Sequence, residues 1–282
     1  MIHCLIIGKE REVEKYSSII SDSQFFDRIE KLLVNEKGEL QSEIIDFINF
    51  DAIFIVSQLK NSFQFFSELI RGRFNFYFIN QPNLSLPELS QLEQLFIESG
   101  NLIFPEFKEI NHPLVQEFIS IQTSQLLFRY NKSISGKREI LPAIFTGLSF
   151  LSLLSPMPVK KINVNSVEST NSGRPSIKVR LKMWDSSVCY IILKIDNKNE
   201  NSILLESKNG NFIFNLSDNY LENIYGTRFK CEEISDDELL QKTIDSFALD
   251  IILNKKPPFS FDHYLLSINI LSKIENILNN SF

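Results

Sequence analysis

Glycine is scarce in this chain, with 9 in 282 residues. Loops that cradle phosphates depend on it, because only glycine lets backbone N–H groups come close to the anion. No Walker loop, serine nucleophile elbow or zinc-binding pattern occurs. The three cysteines, Cys4, Cys189 and Cys231, lie far apart without metal or redox spacing. Cys4 and Cys189 sit in apolar runs and read as buried free thiols. An odd count without a framework fits a reducing compartment, so a cytoplasmic protein is expected. The start, MIHCLIIGKERE, has too short an apolar run for a signal peptide and no basic segment before it. The most apolar internal stretch, Ile140 to Leu154, falls short of the ~20 residues a membrane span needs and reads as a buried helix. Net charge is −6, so no general basic field exists to attract nucleic acid. Neither a nucleic-acid nor a membrane partner is expected.

What is present is core-forming residue: 43% hydrophobic, including 25 phenylalanines. Short apolar runs alternate with amphipathic segments through the first hundred residues. Strands are expected at Ile2–Ile7, near Ile29–Val34, at Asp51–Ser57, Phe76–Ile79 and Asn101–Phe104. Helices are expected at Glu10–Ile20, near Ser42–Ile48, over "SFQFFSELIRG" and over "SLPELSQLEQLFIESG". That alternation implies a parallel sheet with helices on both faces, which holds ligands at the carboxyl ends of its strands. Beyond residue 120 the pattern changes. Lys137–Leu154 reads as one long helix. Strands then follow at Val159–Val167, Ser176–Trp184, Val188–Ile195, Ile203–Ser207 and Asn211–Leu216 as an antiparallel meander, and helices near Asp236–Leu253 and Phe261–Leu278 finish the chain. The fold class is therefore α/β: a Rossmann-like parallel sheet over 1–118, then an α+β domain over 119–282 with an open, mainly antiparallel sheet.

This layout resembles the glucose-fructose oxidoreductase / inositol dehydrogenase (Gfo/Idh/MocA) family. The most specific segment is "DAIFIVSQLKNSFQFFSELIRGRFNFYFINQP", similar to that family's strand, helix, glycine and strand ending in Glu-Lys-Pro. "NSILLESKNGNFIFNL" resembles its late hairpin, and "PPFSFDHYLLSINILSKIENIL" its returning helix. The resemblance implies an oxidoreductase fold, NAD(P) as the family's cofactor and subunits paired through the open sheet. Where the family has Glu-Lys-Pro, this chain has Asn80-Gln81-Pro82, and the Gln81 amide neither carries charge nor exchanges a proton near neutral pH. Where the family has G-x-G-x-x-G/A, this chain runs Gly8-Lys9-Glu10-Arg11-Glu12-Val13, with one glycine kept and Glu10 and Glu12 facing any pyrophosphate. Where the family carries Asp-x-x-x-His, the registered positions hold Leu141 and Phe145, and no Asp or His lies between Asn131 and Asn163.

The resemblance therefore points to a relative of these dehydrogenases without their chemistry, a binding or assembly module. The cleft would be lined by Gly8, Lys9, Ser57 and Gln81 and would suit a neutral, hydrogen-bonding ligand. No cofactor and no metal is expected. The alternative is an NAD(P)-dependent oxidoreductase for a sugar or polyol with a rearranged site, with His112 or a tyrosine as acid. His3 reads as a core or edge histidine, His112 as a helix starter and His263 as a cap. The carboxylates of "CEEISDDELL" read as a solvated helix start. Lys178, Arg180 and Lys182 alternate with apolar residues as the wet face of a strand. "VCYIILKI" is apolar on both faces, so its second face needs a cover, and a homo-oligomer through the open sheet is expected.

Overall fold

The computed structural model describes residues 1–40, 50–60, 62–71, 74–78, 84–120, 127–154, 158–167, 175–196, 200–207, 210–223, 228–231 and 233–279. The helix expected near Ser42–Ile48 and the glycine at 72 lie outside them. The contacts divide the chain into two compact units, Met1–Asn111 with Ile234–Leu265, and His112–Glu233 with Leu266–Phe282.

The first unit opens with strand β1 (Ile2–Gly8), helix α1 (Glu10–Ser21) and β2 (Phe26–Leu33). β3 (Ala52–Ile55), α2 (Ser62–Arg71), β4 (Asn75–Phe78), α3 (Leu86–Ser99) and β5 (Ile103–Pro105) follow. The five strands are all parallel, in the order β2-β1-β3-β4-β5. β3 is apolar from end to end, and β1 is apolar apart from the partly buried His3, because both faces of the sheet are covered. Ring packing fills one face. Tyr77 of β4 stacks on Phe104 of β5 at 5.5 Å and 14°, and Phe54 of β3 meets both Tyr77 and Phe26. On the other face Phe76 meets Phe96 of α3 edge-on. α3 is delimited as the sequence predicts: Glu88 accepts from the Ser85 N–H at 2.7 Å, Pro87 sits in the first turn, and Gly100 closes it in the left-handed conformation at φ 71°.

The second unit contains α4 (Pro113–Ser120), β6 (Leu127–Ile134), α5 (Ile140–Leu154), β7 (Val159–Val167), β8 (Ser176–Met183) and β9 (Val188–Ile195). It continues with β10 (Asn201–Ser207), β11 (Gly210–Asn215), β12 (Tyr220–Asn223) and β13 (Arg228–Lys230). Its eight strands run β13-β12-β11-β10-β6-β9-β8-β7. The sheet is antiparallel except where β6 runs parallel to β9. A plain meander is therefore corrected: β6, which the sequence reading passed over, sits between β10 and β9 as a central strand. The long helix expected from Lys137 begins as a 3-10 turn over Lys137–Glu139 and becomes α5 at Ile140. α5 lies close on the sheet. A Cβ at Gly147 would stand 2.7 Å from the Tyr130 ring and 3.1 Å from Ile191.

Helices α6 (Asp236–Leu253) and α7 (Phe261–Asn279) follow. α6 departs from the linear division at residue 118, because it belongs to the first unit. Phe247 stands edge-on to Phe54 at 5.3 Å and to Phe104 at 5.5 Å, and Ile244 and Ala248 are sealed in the same cluster. A parallel sheet needs cover on both faces, and this late helix supplies part of it. Ser235 caps α6 by accepting from the Glu238 N–H at 3.2 Å, with Asp236 and Asp237 in the first turn, so the acidic run is a helix start. Among the described residues no helix is long and apolar enough to cross a membrane.

Candidate functional site

The strand order reverses direction at β1, so the crevice of the first sheet lies beyond the carboxyl ends of β1 and β3. Gly8, Lys9 and Ser57 come together there. Val56 N–H donates to the Ile7 carbonyl at 2.9 Å, drawing the end of β3 against β1. Gly8 faces Val56 and Ser57 so closely that a Cβ would stand 2.5 Å from Val56 Cγ2 and 2.7 Å from Ser57 Oγ. The surviving glycine thus admits the chain's own β3 terminus. Ser57 is 7% exposed, and its hydroxyl oxygen accepts the Lys9 N–H at 2.8 Å. Lys9 is the N-cap of α1 and contributes no side-chain cap, because an ammonium has no acceptor for the helix N–H groups; it reaches Glu36 at 2.7 Å. That contact raises the Lys9 pKa. The acids of the first turn, Glu10 and Glu12, supply the negative charge that a helix N-terminus favours.

The loop after β2 closes over the same edge, which the sequence reading missed. Asn35 Oδ1 accepts the N–H groups of Lys37 and Glu39 at 2.9 and 3.0 Å, folding a tight turn that needs Gly38 at φ 77°. Gly38 O then accepts the Lys60 N–H at 2.9 Å, and the Lys60 ammonium binds Glu39. A side chain on Gly38 would meet Gln58 O at 2.7 Å. The loops after β2 and β3 are joined by these contacts. The run Asn-Glu-Lys-Gly was the available signal for the turn. Beside it lies a groove of about 280 Å³ between the turn and α2, lined by Leu40, Leu59, Phe65, Lys60 and Glu68.

A second feature that sequence reasoning missed is Glu106, directly after β5. One of its oxygens accepts Tyr16 OH from α1 at 2.6 Å and Tyr77 OH from β4 at 3.0 Å. Burial pushes its carboxyl upward against the opposing pull of those two bonds. Nothing in the spacing of Tyr16, Tyr77 and Glu106 announces the cluster.

The other sequence candidates are placed as follows. Gln81, with Asn80 and Pro82, lies outside the described residues. Leu141 and Phe145 are one turn apart on α5 in the second unit, both half-buried hydrocarbon without an ionisable atom. His112 is 7% exposed, with both ring nitrogens engaged: Nδ1 accepts the Leu114 N–H at 3.2 Å and Nε2 lies 3.0 Å from Asn219 Oδ1. It starts α4. His263 Nδ1 accepts the Ser260 N–H at 3.1 Å, a capping contact for α7. Cys4 and Cys189 are buried, and burial pushes the Cys4 thiol up to about 12. Among the described residues no three His, Cys, Asp or Glu side chains group to hold a metal.

A parallel five-stranded sheet with a switch point at β1, joined in one chain to an open, mainly antiparallel sheet under a long helix, is the architecture of the Gfo/Idh/MocA-type dehydrogenases. This chain has that fold. It is similar to a UDP-N-acetylglucosamine 3-dehydrogenase from Acidithiobacillus ferrooxidans, at 12% identity and TM-score 0.73, over 97% of each chain. A myo-inositol 2-dehydrogenase from Lactobacillus plantarum matches at 13% identity and TM-score 0.70, over 99% of this chain and 98% of that one. A biliverdin reductase from Synechocystis, solved with biliverdin and NADP+, matches at 12% identity and TM-score 0.66, over 95% of this chain and 96% of that one. No protein-family model matches the chain, and no curated protein matches it in sequence.

Proposed function

We propose that this chain is a non-catalytic member of the dehydrogenase fold, a binding or assembly module whose dinucleotide crevice is filled by its own side chains. The observation that carries this reading is the contact of Gly8 with Val56 and Ser57, with the Ser57 hydroxyl taking the Lys9 N–H. A dinucleotide needs that loop's backbone donors free and its surroundings short of negative charge. Here one donor is spent internally and the Lys9 cation is matched by Glu36. Glu10 and Glu12 occupy the first turn of α1. The residues present do not fit a pyrophosphate. Leu141 and Phe145 add no acid or base, and His112 is committed to its two hydrogen bonds.

The fold similarity to a reductase solved with NADP+ favours the alternative, an NAD(P)-dependent oxidoreductase acting on a sugar or polyol. One titration separates the two. NADH and NADPH are added to the whole protein while nucleotide fluorescence and thermal stability are followed. The binding-module reading expects no saturable signal into the high micromolar range. Saturation at low micromolar nucleotide, or turnover of any sugar or polyol with NAD(P), overturns it.

A further inference from the structure

Sheet edges present unpaired backbone N–H and C=O groups, and a protein that stays monomeric blunts them with short strands, charge, proline or bulges. Three of the four edges in this chain are blunted in that way. β2 carries Asp27, Arg28, Glu30 and Lys31 along its eight residues. β5 is three residues long and ends in Pro105, and β13 is three exposed residues, two of them charged. β7 is different. It is the outer strand of the second sheet over nine residues, Val159–Val167, and among the described residues nothing pairs with its outer side. Lys160, Lys161 and an irregular register protect its beginning. From Ile162 to Val167 it has no charge, no proline and no bulge.

Hydrogen-bond direction alternates along an antiparallel strand, so the register fixes which residues of β7 face outward. Met183 N–H donates to Ser187 O at 2.9 Å, and Trp184 N–H donates to Pro158 O at 3.3 Å. Odd residues of β8 therefore bond toward β9 and even ones toward β7. Arg180 and Lys178 bond their partners Asn163 and Asn165, which leaves the N–H and C=O groups of Ile162, Val164 and Ser166 turned outward. Ile162 and Val164 are half-buried beside Leu181 and Val179, which are fully sealed. Another strand laid along β7 would extend this apolar layer.

We infer that β7 pairs edge to edge with β7 of a second copy, antiparallel about a two-fold axis at Asn163. The order of residue types selects that occupant. Lys-Ile-Asn-Val-Asn, over residues 161–165, reads nearly the same from either end in its alternation of polar and aliphatic side chains. About that axis Ile162 meets Val164 of the second copy, and their outward groups exchange both N–H···O bonds. Symmetry repeats the pair. Lys161 meets Asn165 of the second copy, so no lysine opposes a lysine, and the two Asn163 residues meet on the axis. The edge is separate from the open face of the same sheet, so the subunit pairing expected of that face stays available to it. The inference rests on the proposed function for its purpose, giving an assembly module the surface it assembles through. The two fail separately: nucleotide titration tests the crevice, and subunit mass tests this edge.

The alternation also supplies the test. Val164→Pro removes an outward N–H that the chain's own sheet does not use, so the fold is kept while the edge is closed. In light scattering of the whole protein at micromolar concentration, Val164→Pro is expected to halve the assembly mass and leave the circular dichroism spectrum unchanged. Asn163→Cys is made in a Cys231→Ser protein, where the remaining thiols, Cys4 and Cys189, are buried. It is expected to form a disulfide-linked dimer under mild oxidation, because two residues facing each other at a non-hydrogen-bonded position stand about 4.5 Å apart at Cα. Asn165→Cys in the same background faces Lys161 rather than itself, and is expected to cross-link at least about tenfold more slowly. Should Val164→Pro fail to fold, the two cysteine variants decide alone. An assembly mass that Val164→Pro leaves unchanged, or equal cross-linking of the two cysteine variants, overturns the inference. So does a monomeric parent protein, which would leave the edge to a strand from a different chain.

Discussion

At the carboxyl edge of the first sheet Lys9 meets Glu36 at 2.7 Å and Lys60 meets Glu39, whereas on the open face of the second Arg129, Lys178 and Arg180 surround Tyr190 without a carboxylate partner among the described residues. The first region is where this fold places its ligand, and its cations are paired there. The second is the wet side of a sheet, and the chain has left its charge uncompensated. Exposed ion pairs add little stability, so the gain at the first edge is not mainly energetic. What the contacts there do is engage the Lys9 ammonium through Glu36 and the Lys9 N–H through the Ser57 hydroxyl. On the open face nothing consumes the charge, and like charges are held together at some cost to the fold.

The largest effect that would sharpen this contrast is expected at Glu106, where the first unit satisfies even a buried carboxylate. Tyr16→Phe removes the 2.6 Å donor. A hydrogen bond to a charged group contributes about 1.5–3 kcal/mol, and urea unfolding at neutral pH should show a loss of that order. The Glu106 carboxyl is raised in the folded state, so the folded protein holds its proton more firmly than the unfolded chain does. Its ionised form therefore weighs against folding above that raised pKa, and the weight lifts as pH falls through it. The cost of Tyr16→Phe should accordingly shrink in mildly acidic solution. A loss independent of pH would mean that Glu106 is not the partner that matters.

Next in size is Gly8→Ala. Its Cβ would press on Val56 and Ser57 at 2.5 and 2.7 Å, and overpacking of this kind costs about 1–3 kcal/mol. A variant as stable as the parent protein would show the edge to be loosely filled, and the contrast between the two regions would fail.

How much of this was legible in the sequence follows from the physics of each part. β1 and β3 could be read because a parallel strand buried on both faces is apolar along nearly all its length, and α3 because Ser85, Glu88, Pro87 and Gly100 are local signals. β6 could not be read so easily. Its "LFRYNKSI" mixes buried Phe128, Tyr130 and Ile134 with Arg129, Asn131 and Lys132, and its neighbours β9 and β10 lie about sixty and seventy residues later in the chain. α6 was recognised as a helix, but nothing local says that Phe247 will seal rings from β3 and β5. At the candidate site, the residues that stand at the resembling family's motif positions, Gly8–Val13, Gln81, Leu141 and Phe145, were visible one by one. The closure by Ser57 and by the Asn35–Glu39 turn was not, since it depends on loops that meet only once the sheet has formed.

A smaller effect is expected at Asp250 on α6. Burial raises its carboxyl from 3.8 to about 6, opposed by Lys255, and its Oδ2 is buried without a partner. The sign is the same as for Glu106. The ionised form disfavours folding above about pH 6, and the penalty lifts as pH falls from 6 toward 4. Asp250→Asn should therefore be at least as stable as the parent protein at pH 7.5, with that advantage fading in the same interval. Thermal unfolding of both proteins across that range checks it, and an advantage that grows on acidification would refute it.

The smallest effect is the sharpest on the contrast itself, because it turns on sign. Lys60→Ala removes a paired cation from the first edge, leaving Glu39 without the partner that holds its carboxyl below the usual range. Arg180→Ala removes an unpaired cation from a like-charged cluster. At low salt the first should lower the unfolding temperature and the second should raise it or leave it unchanged, within the ~0.5 kcal/mol typical of surface substitutions. Screening acts on both, so added salt should bring each variant closer to the parent protein from opposite sides. Arg180 also rests its guanidinium over Tyr190, and losing that contact works against the gain. The diagnostic quantity is therefore the salt dependence rather than the absolute shift. If Lys60→Ala and Arg180→Ala move in the same direction with salt, the cations of the open face are compensated as fully as those of the first edge.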